Sequence, residues 1–131
     1  MITTKQFRDW LKSNLSDYGE WCGMGKMDTT KSKAICVYPS RNSEQPNFIV
    51  GGEPAVGYYN RTFQLLIRWG KDFGESETKV NEVYKSLMNT ISDVSGHKIL
   101  IIPQQKEPIF LGADDKGIYE YTLFVKIFYE K

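Results

Sequence analysis

The sequence predicts an α+β domain: a mixed, mostly antiparallel sheet flanked by helices, in the order α-βββ-α-βββ. Three observations predict it. Two stretches repeat apolar residues at helical spacing. Six others alternate, or run apolar, over strand lengths. The strands are joined mainly by short polar turns, which favours antiparallel neighbours with the helices on one side. No linker, internal repeat or low-complexity tract divides the chain, so residues 1–131 form a single domain.

Residues 3 to 17 read as the first helix. Thr3 followed by Gln6 fits a capping box, and Phe7, Leu11 and Leu15, with Trp10 beside them, make one apolar stripe. Tyr18-Gly19 stops it. GEWCGMGKMDTTKS, residues 19 to 32, reads as a loop. KAICVYP (33 to 39) is a strand closed by Pro39, SRNSEQP (40 to 46) a polar loop, NFIVGG (47 to 52) a short strand and EPAVG (53 to 57) a bend. YYNRTFQLLIRW (58 to 69) is a long strand, with Phe63, Leu65, Ile67 and Trp69 on one face and Thr62, Gln64, Leu66 and Arg68 on the other.

Residues 76 to 93 give the clearest helical pattern. Ser76 is the expected N-cap, Ser95-Gly96 the expected stop, and Val80, Val83, Tyr84, Leu87, Met88 and Ile91 share a face. Val83, Leu87 and Ile91 are expected to pack on Phe63, Leu65 and Ile67. HKILIIP (97 to 103) is a buried-type strand, and IFLG (109 to 112) pairs with the last strand through the turn ADDKG. That last strand, IYEYTLFVKIFYE (118 to 130), alternates throughout. Its second face carries Phe124 and Phe128 on either side of Lys126. Either the first helix or a partner covers that aromatic strip.

Composition narrows the function classes. The chain has 131 residues, is 40% hydrophobic and 25% charged, and suits an ordinary soluble domain with its own core. Aromatics make up 14%, a residue class favoured in strands and at protein interfaces. A net charge of +1 gives no strong general attraction to nucleic acid or anionic membrane. MITTKQFRDW has no signal-peptide pattern, and no apolar run approaches a membrane span. Cys22 and Cys36 are in no CxxC pattern and read as reduced thiols, with Cys36 a small hydrophobe in its strand.

Catalytic and metal chemistry find no support. His97 is the one histidine and has no companion ligands placed by motif. GMGK (23 to 26) fails the phosphate-loop pattern, because Met27 stands where Ser or Thr is needed. Asp114-Asp115 lacks the spacing of a calcium loop and reads as a hairpin turn. The expectation is no enzyme, no cofactor and no metal. Tyr58, Tyr59, Arg61, Arg68 and Trp69 interleave aromatics with cations. That leaves a small single-stranded nucleic-acid-binding module as an alternative, without sequence-specific recognition.

FQLLIRWGKD, HKILIIPQQKEPIFLGADDKGIYEYTLFVKIFYE and GKMDTTKSKAICVYP resemble small minor capsid proteins of tailed phages and prophages of Gram-positive bacteria. The resemblance spans roughly residues 5 to 130 and places the chain with tail terminator, or tail completion, proteins. It implies a helix-flanked mixed sheet and a homo-oligomeric ring, a hexamer on the tail. The ring caps the tail tube and meets the tail tube protein and the head-tail connector protein. It implies no membrane partner and no catalytic residue. Its place is the virion neck or tail, and the bacterial host cytoplasm during assembly. A head-completion or minor capsid connector protein is the alternative within the same biology. On this reading Arg61, Arg68, Trp69, Phe124 and Phe128 are the candidate interface residues, with Arg61 and Arg68 pairing with acidic groups of a neighbour. Arg68 is expected at an exposed strand position that tolerates charge reversal.

Overall fold

The computed structural model describes residues 2–40 and 58–130. The expected strand at 47–52, most of the polar loop at 40–46 and the bend at 53–57 lie outside the described residues.

The chain begins with helix α1 (Thr4–Asn14). Thr3 Oγ1 accepts from the Gln6 N–H (3.1 Å), and the Thr3 N–H donates to Gln6 Oε1 (2.8 Å). This is the capping box read from sequence. Thr3→Ala removes half of it and should cost about 1 kcal/mol. A denaturant titration with unchanged slope and a lower midpoint is the expected result; an unmoved midpoint would count against the cap.

One strand and the second helix depart from the expected map here. Residues 19 to 32 are not wholly loop: Trp21–Met24 forms strand β1, parallel to β2 (Lys33–Pro39). Gly19 makes the approach possible. Its φ is +82°, and a Cβ there would lie 2.5 Å from the Lys33 carbonyl oxygen. β3 spans Tyr58–Trp69. α2 then runs Phe73–Leu87, capped by Asp72, which accepts from the Glu75 N–H at 3.2 Å. Ser76, the expected cap, is instead buried in the first turn, and its hydroxyl donates to the Asp72 and Trp69 carbonyls.

The largest departure is at the end of α2. The expected helix to residue 93 stops at Leu87, and Thr90–Val94 is strand β4. Asn89 takes a φ of +51°, a left-handed conformation that asparagine tolerates and a helix does not. Ser95-Gly96, expected to end the helix, is the two-residue turn of the hairpin to β5 (His97–Pro103). Both turn residues have positive φ, as such hairpins require. The described order is therefore α-βββ-α-ββββ, completed by β6 (Ile109–Ala113) and β7 (Tyr119–Glu130).

The sheet order is β1-β2-β3-β7-β5-β4, with β6 also on β7. Every pairing but β1–β2 is antiparallel. The sheet curls, so α1 touches β1 and β2 at one end of the order and β4 at the other. Arg8 donates to the Cys22 carbonyl of β1 (3.4 Å), and Trp10 Nε1 donates to Ser92 Oγ of β4 (2.9 Å). Both helices cover the same face. Phe7, Leu11, Val83 and Leu87 share one core with Phe63, Leu65, Ile67, Leu123, Val125 and Ile127. The expected packing of Val83 and Leu87 on β3's apolar face is present. Ile91 is not part of it: it lies in β4 and is 66% exposed.

Candidate interaction surface

The outer face of the sheet and its edges are what the two helices leave over. On β7, Tyr121, Leu123, Val125, Ile127 and Tyr129 face the core, and Phe124, Lys126 and Phe128 point outward and are half-buried. α1 lies on the core side, so it does not cover the aromatic strip. That alternative from the sequence is closed.

One end of the outer face has its own roof. Met27 packs with Ala34 and Cys36, beside Trp21, Tyr38 and Leu66, and the Met27 N–H donates to the Tyr38 hydroxyl (2.9 Å). Burial pushes the Tyr38 hydroxyl up to about 12 and the Cys22 thiol up to about 11, and it raises Cys36 as well. Both cysteines are free and buried, so neither offers a thiolate nucleophile at neutral pH.

Arg68 pins this roof. It is 2% exposed, and its Nη1 lies 2.9 Å from Asp114 Oδ2 and 3.5 Å from Glu120 Oε2. Its Nε and Nη2 donate to the carbonyls of Lys31 (3.3 Å) and Thr29 (3.5 Å). Lys116, in the β6–β7 turn, donates to the same Thr29 carbonyl at 3.3 Å. The Asp114 carboxyl is held below the usual aspartate range, first by the Ile118 N–H, then by the Lys116 N–H and Arg68. The expectation that Arg68 is exposed and pairs with a neighbour is thus corrected. Its partners are in its own chain, because the antiparallel β3–β7 register sets Glu120 opposite it and the turn before β7 brings Asp114.

The other nominated residues divide. Trp69 is buried on the core face, with Lys33 and Lys79 over its ring at 5.6 and 5.0 Å. Arg61 is on the same face. It lies over the Phe63 ring at 4.8 Å and donates to the Ile2 carbonyl at 2.8 Å. Residues 59, 61 and 69 therefore do not form an outward stacking platform. Phe124 and Phe128 remain on the outward face.

Two apolar patches were not read from the sequence. The first is the edge strand β6. Together with β5 it runs along one side of β7, interrupted by residues 104–108. β4 covers β5, but among the described residues nothing pairs with the free side of β6. Ile109, Phe110 and Leu111 are exposed there, and the register shifts between Phe110 and Gly112. Phe110 joins Phe73, Tyr119 and Tyr121 at centroid distances of 5.7, 6.3 and 5.2 Å. The second patch is a shallow hollow of about 200 Å³ on the outer face. Ile91, Leu100 and Phe128 line it as register partners across β4, β5 and β7. A signal for β6 existed: three consecutive large apolar residues in a short strand cannot all face one core. The hollow had none, because Ile91 reads as helical.

His97 and Lys26 are exposed, and among the described residues no group of three His, Cys, Asp or Glu could hold a metal. No described helix is long and apolar enough to cross a membrane.

Residues 8–131 match a family model described as bacteriophage tail terminator protein. No curated protein matches the chain. Among the solved structures that match, one is 15% identical with a TM-score of 0.47, and the likeness covers 96% of this chain and 87% of that one.

Proposed function

Because the chain belongs to the bacteriophage tail terminator family, we propose that it forms a ring that caps the finished tail tube and joins it to the head connector. The family makes it a structural protein of the phage tail, with the virion as its place. The finer reading is homo-oligomeric assembly, contact with the tail tube protein and with the connector, and assembly in the host cytoplasm. Its origin on this reading is a tailed phage or prophage of a Gram-positive bacterium. The observation that carries it is the family match across residues 8–131. The fold is consistent with a binding role: a rigid curled sheet with apolar patches on its outer face and edge. A ring needs two different complementary surfaces on each subunit. The proposal includes no catalysis and no cofactor.

The test is electron microscopy of tails from a phage or prophage lacking the gene, with add-back of the purified protein. Tails of abnormal length, or tails that fail to join heads, are expected without it. A ring at the tube end is expected on add-back. A ring found only on the connector moves the chain to head completion. Normal tails without the gene, together with a gel shift on single-stranded nucleic acid at physiological salt, overturn the structural reading.

A further inference from the structure

Among the described residues the curled sheet has three strands with an unpaired side: β1, β4 and β6. The first two are met by α1, through Arg8 on the Cys22 carbonyl and Trp10 on Ser92. β6 has no such cover among the described residues. Edge strands that must stay solitary usually carry charge or proline. β6 is Ile-Phe-Leu-Gly-Ala and carries neither. An open edge of this kind is a template for one more strand.

The α2 side of the same edge holds a second unfinished feature. Phe110 lies over Tyr121 with ring centroids 5.2 Å apart, and Phe73 and Tyr119 complete the cluster. Tyr121 is 5% exposed, and its hydroxyl has no hydrogen-bond partner among the described residues. A buried hydroxyl left unpaired costs free energy. Phe110 is itself exposed, so the turning of one surface ring uncovers that hydroxyl. Glu77 follows Phe73 by four residues, on the same face of α2, and is near enough to act on the Tyr121 hydroxyl. Its carboxylate makes no ion pair among the described residues, whereas Glu75 is taken by Lys33, and Asp114 and Glu120 by Arg68. The other exposed charges around the start of α2 and the ends of β6 are offsetting neighbours: Lys71 with Asp72, Lys106 with Glu107, and Asp115 with Lys116. Glu77 is the one left uncompensated.

We propose that β6 takes an added strand from a different protein: an extended segment with an arginine on the α2 side of the sheet and apolar residues on the opposite side, beside Ile109. Ile109 and Phe110 are register partners of Thr122 and Tyr121, so they point to opposite faces. The guanidinium has donors for both the Glu77 carboxylate and the Tyr121 hydroxyl oxygen, and its plane suits the faces of Phe110 and Phe73. A second copy does not supply it. Among the described residues the arginines are Arg8, Arg61 and Arg68, and each is already held by its own chain. The contact stands whether or not the subunits form a ring.

The test titrates short peptides into the full chain and follows backbone amide NMR shifts. The peptides alternate valine and threonine, with arginine, leucine or glutamate at the centre. The arginine peptide should shift Ile109–Ala113 and bind about tenfold or more tightly than the leucine peptide, the worth of a hydrogen bond to a charged group. The glutamate peptide should not bind. Glu77→Gln and Tyr121→Phe should each narrow the arginine–leucine gap. Both should stay folded in thermal melts, because Glu77 is exposed and Tyr121→Phe removes only an unpaired hydroxyl. Of two arginine peptides N-methylated on the two alternate sets of amides, the one that blocks the β6-facing set should fail to bind. Binding by both overturns strand addition. An arginine–leucine gap that is absent, or unchanged in both variants, overturns the arginine seat. No peptide that shifts β6 overturns the site. Sedimentation of the protein alone gives the remaining outcome: self-association that Leu111→Glu abolishes would make a second copy the occupant and overturn the assignment to a different protein.

Discussion

Arg68→Glu should destabilise the free monomer by roughly 3–5 kcal/mol or more, the loss seen when one member of a buried ion pair is removed. Arg68 is nearly sealed from solvent and is the cation between Asp114 and Glu120. Reversing its charge leaves three carboxylates together and releases the Lys31 and Thr29 carbonyls. Typical domains have only about 5–15 kcal/mol in total, so a large share of the stability goes. Arg68→Lys keeps a charge but not the forked donors, and should recover part of the loss. The arrangement also has a pH signature. The Asp114 carboxyl sits below its usual 3.8, so the stability it contributes is complete above that value and is lost as pH falls through its lower folded value. The acid limb of a stability–pH curve should therefore flatten in Asp114→Asn. A folded, wild-type-stable Arg68→Glu protein in a urea titration would show that the cluster contributes nothing.

Phe63→Ala should cost about 3–5 kcal/mol, as removal of a fully buried phenylalanine does. The ring is sealed from solvent and stacks on Phe7 at 4.9 Å, which in turn stacks on Trp10 at 5.9 Å. Phe63 also pairs across the sheet with Val125 and Pro39. The cavity would open where α1 meets the sheet centre, and neither backbone can collapse into it without breaking pairings. Ile91→Ala is the contrast: the same sequence pattern marked it as core, yet it is exposed and should fall within about 0.5 kcal/mol of wild type. Equal denaturant midpoints for the two variants would refute the packing described here.

Periodicity carried the reading where one face of an element is dry and the other wet. α1, β2, β3, β5 and β7 were legible for that reason, down to the Thr3 capping box and the turn before β7. It failed where a local signal is ambiguous between periods. Met88 and Ile91 continue a helical stripe, and only the left-handed Asn89 and the Ser95-Gly96 turn separate helix from hairpin. β1 was hidden because its four residues pair with a strand and pack under a helix that sequence does not place beside them. The candidate interface residues show the same limit. Alternation correctly put Arg68 opposite Trp69, but alternation names a face and not what covers it. The Met27 loop and the β6–β7 turn cover Arg68, and both are distant in sequence.

β7 lies between β3 on one side and β5 and β6 on the other, yet it is the last of the described elements to leave the ribosome. Until it emerges, the nascent chain holds a β2–β3 pair and a β4–β5 hairpin with no strand to join them. Their apolar faces and open edges stay unsatisfied, which is the condition in which unfinished chains aggregate. Closing the sheet then needs β3 and β7 to meet across nearly half the sequence, a non-local step that slows folding. Formation of the full sheet therefore waits on β7. The pool available for assembly is set by chains that have closed around β7.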